Sequence, residues 1–151
     1  MTTTTEAKIK ANIRLSAFNM LARREHSRKE LLTKLSQRFE QNDLVTEILD
    51  EILQEGLQSD QRFTESFVRS RVQRGQGPVK IRYDLGQKGV ESGLIDDAMA
   101  CFDNEWMSLA RDLVSGKYGL EPPTDLKEKQ RRMRFVMQRG FPAEVCYKLF
   151  D

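Results

Sequence analysis

The sequence predicts an all-α fold: three tandem three-helix repeats packed into an elongated, curved, solenoid-like body. Apolar residues recur at helical spacing in three segments, the segments stand about 50 residues apart, and nothing between them reads as a strand. The first segment carries Leu44, Val45, Ile48, Leu49, Ile52 and Leu53. The second carries Leu94, Ile95, Ala98, Met99 and Phe102, and the third Val145, Cys146, Leu149 and Phe150. Leu44 and Leu94 lie 50 positions apart, and Leu94 and Val145 lie 51 apart. The same offsets set Leu35 on Leu85 on Val136, and Lys88-Gly89-Val90 on Arg139-Gly140-Phe141. A unit of this size cannot bury its apolar face alone, so neighbouring units are expected to share a core.

Each repeat reads as three helices. Residues 1–6 form a polar N-terminus expected to be disordered. The first repeat, 7–56, holds helices over Ala7 to Arg24, Ser27 to Arg38 and Asp43 to Glu55, and Gly56 closes it. The second, 57–103, holds Asp60 to Arg74, Pro78 to Gln87 and Ser92 to Phe102, broken by Gly-Gln-Gly and by Lys-Gly-Val-Glu-Ser. The third, 104–151, holds Glu105 to Lys117, a proline-bearing connection, Leu126 to Gln138 and Pro142 to Phe150. Phe63, Phe67, Val68, Val72, Ile81 and Leu85 fall at helical spacing and are assigned to the core, and Trp106 with Met107 anchors the last unit. Tyr83, between Arg82 and Asp84, either packs half-buried, which is the expectation, or stacks on a nucleotide base.

In 151 residues, 38% hydrophobic and 32% charged, the longest apolar runs are a few residues, so no membrane span is expected. The start MTTTTEAKIK has no apolar signal core, which makes the cytoplasm the default location. Cys101 and Cys146 lack CxxC spacing and are expected to be reduced. The single histidine, His26, cannot build a metal site or a catalytic triad by itself, and a solvated surface role beside a helix start at Ser27 is expected for it. Asp96 and Asp97 are helix neighbours that point apart and do not converge on one water or metal. Neither an enzyme nor a cofactor is expected.

The formal net charge of +2 conceals a pattern. Lys8 to Arg38, Arg62 to Lys88 and Lys127 to Arg139 are strongly basic, whereas Glu40 to Glu55 and Glu91 to Glu105 carry acids and no base. Stacked repeats would sort these into a basic stripe and an acidic one, or else let the opposite charges pair between units. The candidate contact residues are Arg62, Arg69, Arg71, Arg74, Lys80, Arg82 and Lys88 in the second repeat, with Arg131, Arg132 and Arg139 in the third.

Gly75 and Gly77 invite a phosphate-loop reading, but the third glycine, the preceding strand and the Gly-Lys-Ser/Thr sequence that such loops need are missing. A turn between two helices is expected, with Pro78 in the first turn of the second.

The run LQSDQRFTESFVRSRVQRGQGPVKIRYDLGQKGV, with RREHSRKELLTKL before it and LARDLVSGKYG and RFVMQRGFPAEV after it, resembles the RecX family of bacterial recombination regulators over nearly the whole chain. The resemblance rests on Ser-Asp-x-Arg-Phe, Gly-x-Gly-Pro and Leu-x-x-Lys-Gly-Val in that order. It implies three tandem three-helix units, and a protein that binds the RecA recombinase, lies along the groove of its filament on DNA, and inhibits its ATPase and strand exchange. It supplies no catalytic residue. The expected partners are the RecA filament and, more weakly or through that filament, single- and double-stranded DNA; a monomer is expected. Direct nucleic-acid binding by the basic stripe is the alternative, and whether the cations touch DNA or acidic recombinase surface stays open.

Overall fold

Among the described residues helix-breaking turns separate nine helices, and there is no strand. The structure is a computed structural model and describes residues 2–151. The helices are α1 (Thr2–Arg23), α2 (Arg28–Arg38), α3 (Asn42–Gln54), α4 (Asp60–Gln73), α5 (Pro78–Gln87), α6 (Ser92–Ala100), α7 (Trp106–Tyr118), α8 (Leu126–Gln138) and α9 (Ala143–Leu149). The all-helical reading therefore holds, with ends shifted by a few residues. The largest shift is at α1, which begins at Thr2 rather than Ala7 because no glycine or proline interrupts the leading threonines. Met1, the first residue of the segment expected to be disordered, lies outside the described residues.

The chain forms two compact units, one holding residues up to Ser66 with Lys88–Glu91, the other Phe67–Gln87 with Ser92–Asp151. In the first unit α1, α2 and α3 pack on one another. Ile13 and Ala17 of α1, Leu31 and Leu35 of α2, and Leu44, Val45, Ile48, Leu49 and Ile52 of α3 form one buried cluster. Leu53, the last residue of the α3 apolar pattern, stays exposed. At roughly 25 cal/mol per Å² of apolar surface removed from water, and about 1.5–3 kcal/mol for each buried Leu or Ile, this cluster is the main term holding the unit together. A capping box starts α2: Ser27 accepts from the Glu30 amide at 3.1 Å while Glu30 accepts from the Ser27 amide at 3.1 Å.

In the second unit α5 packs on α6, and α7, α8 and α9 pack together. Trp106 anchors the interior as expected: its ring lies 5.8 Å from Phe102 and 6.4 Å, edge-on, from Phe141. Val68, Ile81 and Leu85 are fully buried, and Phe67 and Val72 half-buried. Both cysteines are free, Cys101 exposed and Cys146 buried.

Gly-Gln-Gly-Pro is the expected helix-helix turn, and its glycine has a packing reason. The Gly77 amide donates to the Arg139 carbonyl at 2.7 Å and the Val79 amide to the Gly140 carbonyl at 2.9 Å. The α4–α5 turn thereby lies against the α8–α9 turn so closely that a Cβ on Gly77 would stand 2.5 Å from the Gly140 carbonyl. These amides face protein carbonyls and are closed to a phosphate.

Candidate functional site

The basic residues singled out in the sequence separate into cations that have a partner within the fold and cations that have no ion pair among the described residues. In the first unit, Arg62 stands 3.4 Å from the Glu25 carboxylate and donates to the Gly56 carbonyl at 2.8 Å. Lys88 meets Glu30 at 3.2 Å. In the second unit, Arg71 lies over the Phe67 ring at 4.5 Å and 4.0 Å from Asp84, and Arg82 pairs with Asp96 at 2.6 Å. Opposite charges do pair within units at these positions.

Arg132 and Arg139 depart from the expected surface stripe. Arg132 is only 8% exposed. Its guanidinium donates to Glu128 at 3.3 Å and to the Glu121 carbonyl at 2.8 Å, and it covers the Tyr118 ring at 4.9 Å. Arg139 donates to the Gly75 carbonyl at 3.3 Å and to the Arg74 carbonyl. Both clamp connections of the second unit, because a planar fork of donors satisfies orphaned carbonyls at turns.

Arg69, Arg74 and Lys80 are exposed and make no ion pair among the described residues. Tyr83 joins them at 65% exposure rather than half-buried. The reason is helical geometry: Ile81 and Leu85 turn one side of α5 inward, and Tyr83 lies about 200° around the helix from Ile81, with exposed Val79 one turn before it.

His26 also reverses its expectation, being only 3% exposed. Its Nδ1 lies 3.0 Å from the Arg24 carbonyl and its Nε2 3.2 Å from the Lys34 ammonium. A carbonyl only accepts and an ammonium only donates, so the ring is neutral with its proton on Nδ1. Burial holds its pKa below the usual histidine value, and the charges of Arg24 and Lys34 add to this. Beside it, Glu30 is a buried carboxylate. Burial alone would raise its pKa, but hydrogen bonds from Arg24, the Ser27 amide and Lys88 outweigh that and hold it down to about 2.

Cations not singled out in the sequence come together with Arg131 in the second unit. Lys117 of α7 with Lys127, Arg131 and Arg134 of α8 line a cleft of about 440 Å³. Lys127, Arg131 and Arg134 follow the i, i+4, i+7 spacing of one helix face, a signal readable in the sequence; the approach of Lys117 from α7 was not. Among the described residues, no group of three or more His, Cys, Asp or Glu could hold a metal ion. No helix among them is long and apolar enough to cross a membrane.

Residues 59–99 match the family profile described as RecX, second three-helix domain, and residues 103–150 that described as RecX, third three-helix domain. The chain belongs to the RecX family. A Halorhodospira halophila protein named regulatory protein RecX is 42% identical over 132 residues, covering 87% of this chain and 82% of the relative. A Pseudomonas putida regulatory protein RecX is 39% identical over 139 residues, 92% of this chain and 89% of the relative. The crystal structure of RecX from Lactobacillus salivarius superposes with a TM-score of 0.79 at 20% identity over 95% of both chains, which shows the RecX fold. The paired turns of the second unit, Gly-x-Gly-Pro against Arg-Gly-Phe-Pro, thus lie in two different RecX domains.

Proposed function

We propose that this chain binds the RecA recombinase filament on DNA and inhibits its ATPase and strand-exchange activities. Membership of the RecX family over most of the chain's length carries this reading. The chemistry of the second unit is consistent with it. A nucleoprotein filament offers phosphates and carboxylates in one groove; Arg69, Arg74 and Lys80 present cations without an ion pair among the described residues, and α5, which carries Lys80, also exposes the apolar surface of Val79 and Tyr83. Cations steer association and exposed aromatic and aliphatic surface supplies the part of binding that salt does not screen. Such inhibition needs no catalytic group of this chain, which acts in the cytoplasm as a regulator of recombination and repair.

Titration of purified protein into RecA turning over ATP on single-stranded DNA, at two salt concentrations, tests the reading. A saturable fall in ATPase activity at both salts is expected, and undiminished turnover at saturating protein would refute it.

A further inference from the structure

We infer that the cleft between α7 and α8 is a contact site for the phosphate backbone of a single-stranded nucleic acid, separate from any recombinase contact of α4 and α5. Four cations line it, Lys117, Lys127, Arg131 and Arg134, and no carboxylate does. Among the described residues only Arg131 of the four has an anionic neighbour, Glu128 at 3.5 Å, and its side chain is still 66% exposed. Lys127 and Arg134 are exposed and have no ion pair among those residues. Such a concentration of like charge costs self-repulsion unless a polyanion relieves it.

The two rings of the cleft decide which part of a nucleic acid it reads. Tyr118 and Phe135 meet edge to face at 5.7 Å. Lys117 already stands over Phe135 at 4.1 Å, and Arg132 over Tyr118 at 4.9 Å. Faces covered by cations are poor platforms for stacking bases. They hold Lys117 in place instead, so the contact is to phosphate and indifferent to base sequence. Along α8 the three cations span seven residues, about 10 Å of helix at 1.5 Å per residue, which suits successive phosphates of one extended strand. A cleft of about 440 Å³ has room for a stretch of one extended strand along α8.

The test uses the full chain and a fluorescein-labelled oligothymidylate, without recombinase. The variant Lys127→Gln with Arg134→Gln removes two exposed charges and spares the rings. Its expected result is an affinity decrease of at least tenfold and a salt slope shallower by about 1.4, at about 0.7 per charge for single strands. Lys127→Arg with Arg134→Lys should restore both. The charge-matched variant Arg23→Gln with Arg38→Gln, in the first unit, should change the slope far less. Unchanged affinity in the cleft variant, an equal decrease in the charge-matched variant, or tighter binding of duplex than of single strand at equal phosphate would each overturn the site. Displacement of the oligonucleotide by polyglutamate at equal charge concentration would overturn it in favour of an acidic protein partner.

Discussion

Glu30 and Lys88, 58 positions apart in the chain, meet at 3.2 Å on a carboxylate that is nearly removed from water. The side chain of Glu30 is 7% exposed, and it also receives Arg24 at 2.8 Å and the Ser27 amide at 3.1 Å. Next to this pair the turn after α5 comes so close to α2 that a Cβ on Gly89 would stand 2.8 Å from Lys29 Cβ. Lys88 thus ties the Lys-Gly-Val turn to α2.

The Glu30 carboxyl, held down to about 2 in the fold against 4.5 without it, makes the first unit acid-sensitive. A depressed carboxyl stabilises the folded state fully above 4.5, and this stabilisation is lost as pH falls from there toward about 2. The change should be on the order of 2 kcal/mol once solvent screening of the partners is allowed for. Urea unfolding between pH 6 and 2.5 checks it: Glu30→Gln should be less stable at pH 6 and show a flatter profile, and parallel profiles would disprove the assignment.

His26 should titrate below its ordinary 6.5. Because the fold favours the neutral ring, its contribution to stability is present above 6.5 and falls away as pH drops through and below that value. Protonation would turn Nε2 into a donor aimed at the Lys34 ammonium. A ¹⁵N-resolved NMR titration should find the proton on Nδ1 at pH 7, and Lys34→Met should raise the His26 pKa. A pKa above 6.5 in the parent protein would contradict the geometry.

Gly77→Ala should destabilise the second unit by about 1–3 kcal/mol, the usual cost of forcing atoms into a filled space. The added Cβ would meet the Gly140 carbonyl and the Phe141 amide at 2.5–2.6 Å, and backbone on both sides cannot swing away as a side chain can. Gly140→Ala acts on the same contact from the other side. Its Cβ would press on Lys80 Cβ, and its φ of +99° is one that only glycine adopts cheaply. The double variant should therefore cost less than the sum of the two. Thermal unfolding of the three variants measures this, and additive effects would show that the two turns are not one contact. No ATP binding should be detectable in the parent, since the turn's amides are already engaged.

Local pattern carried most of the fold and less of the site. The α3 residues Leu44 through Ile52 announce a buried helix face by spacing alone, and all five of the pattern up to Ile52 are buried. Which cations remain available depends on partners far along the chain, as Lys88 with Glu30 and Arg139 with the Gly75 carbonyl illustrate. His26 looked solvated because its neighbours in sequence are charged. Its burial comes from the folding back of the chain at Gln58, whose amide donates to the His26 carbonyl at 3.2 Å, and from Lys34 in α2. The Ser27-x-x-Glu30 capping box was readable, but only the structure shows that Glu30 also collects Arg24 and Lys88.

The surface of α4 and α5 yields the last prediction, and the choice of arginines decides whether it can be tested. Arg71 is a poor target: it covers the Phe67 ring at 4.5 Å and faces Asp84, so a glutamate there would place two carboxylates together and disturb packing. Arg69→Glu with Arg74→Glu reverses two exposed charges and touches no ion pair among the described residues. Removing one well-formed hydrogen bond to a charged group should cost about 1.5–3 kcal/mol, so inhibition of RecA ATPase activity should weaken by at least tenfold with the helical circular dichroism spectrum unchanged. Reversal of an exposed acid that bears no ion pair among the described residues, Asp97→Lys, should change inhibition far less, whereas Asp96 is unsuitable because it holds Arg82 at 2.6 Å. Inhibition by the folded arginine variant equal to that of the parent, at physiological salt, would move the recombinase contact off α4.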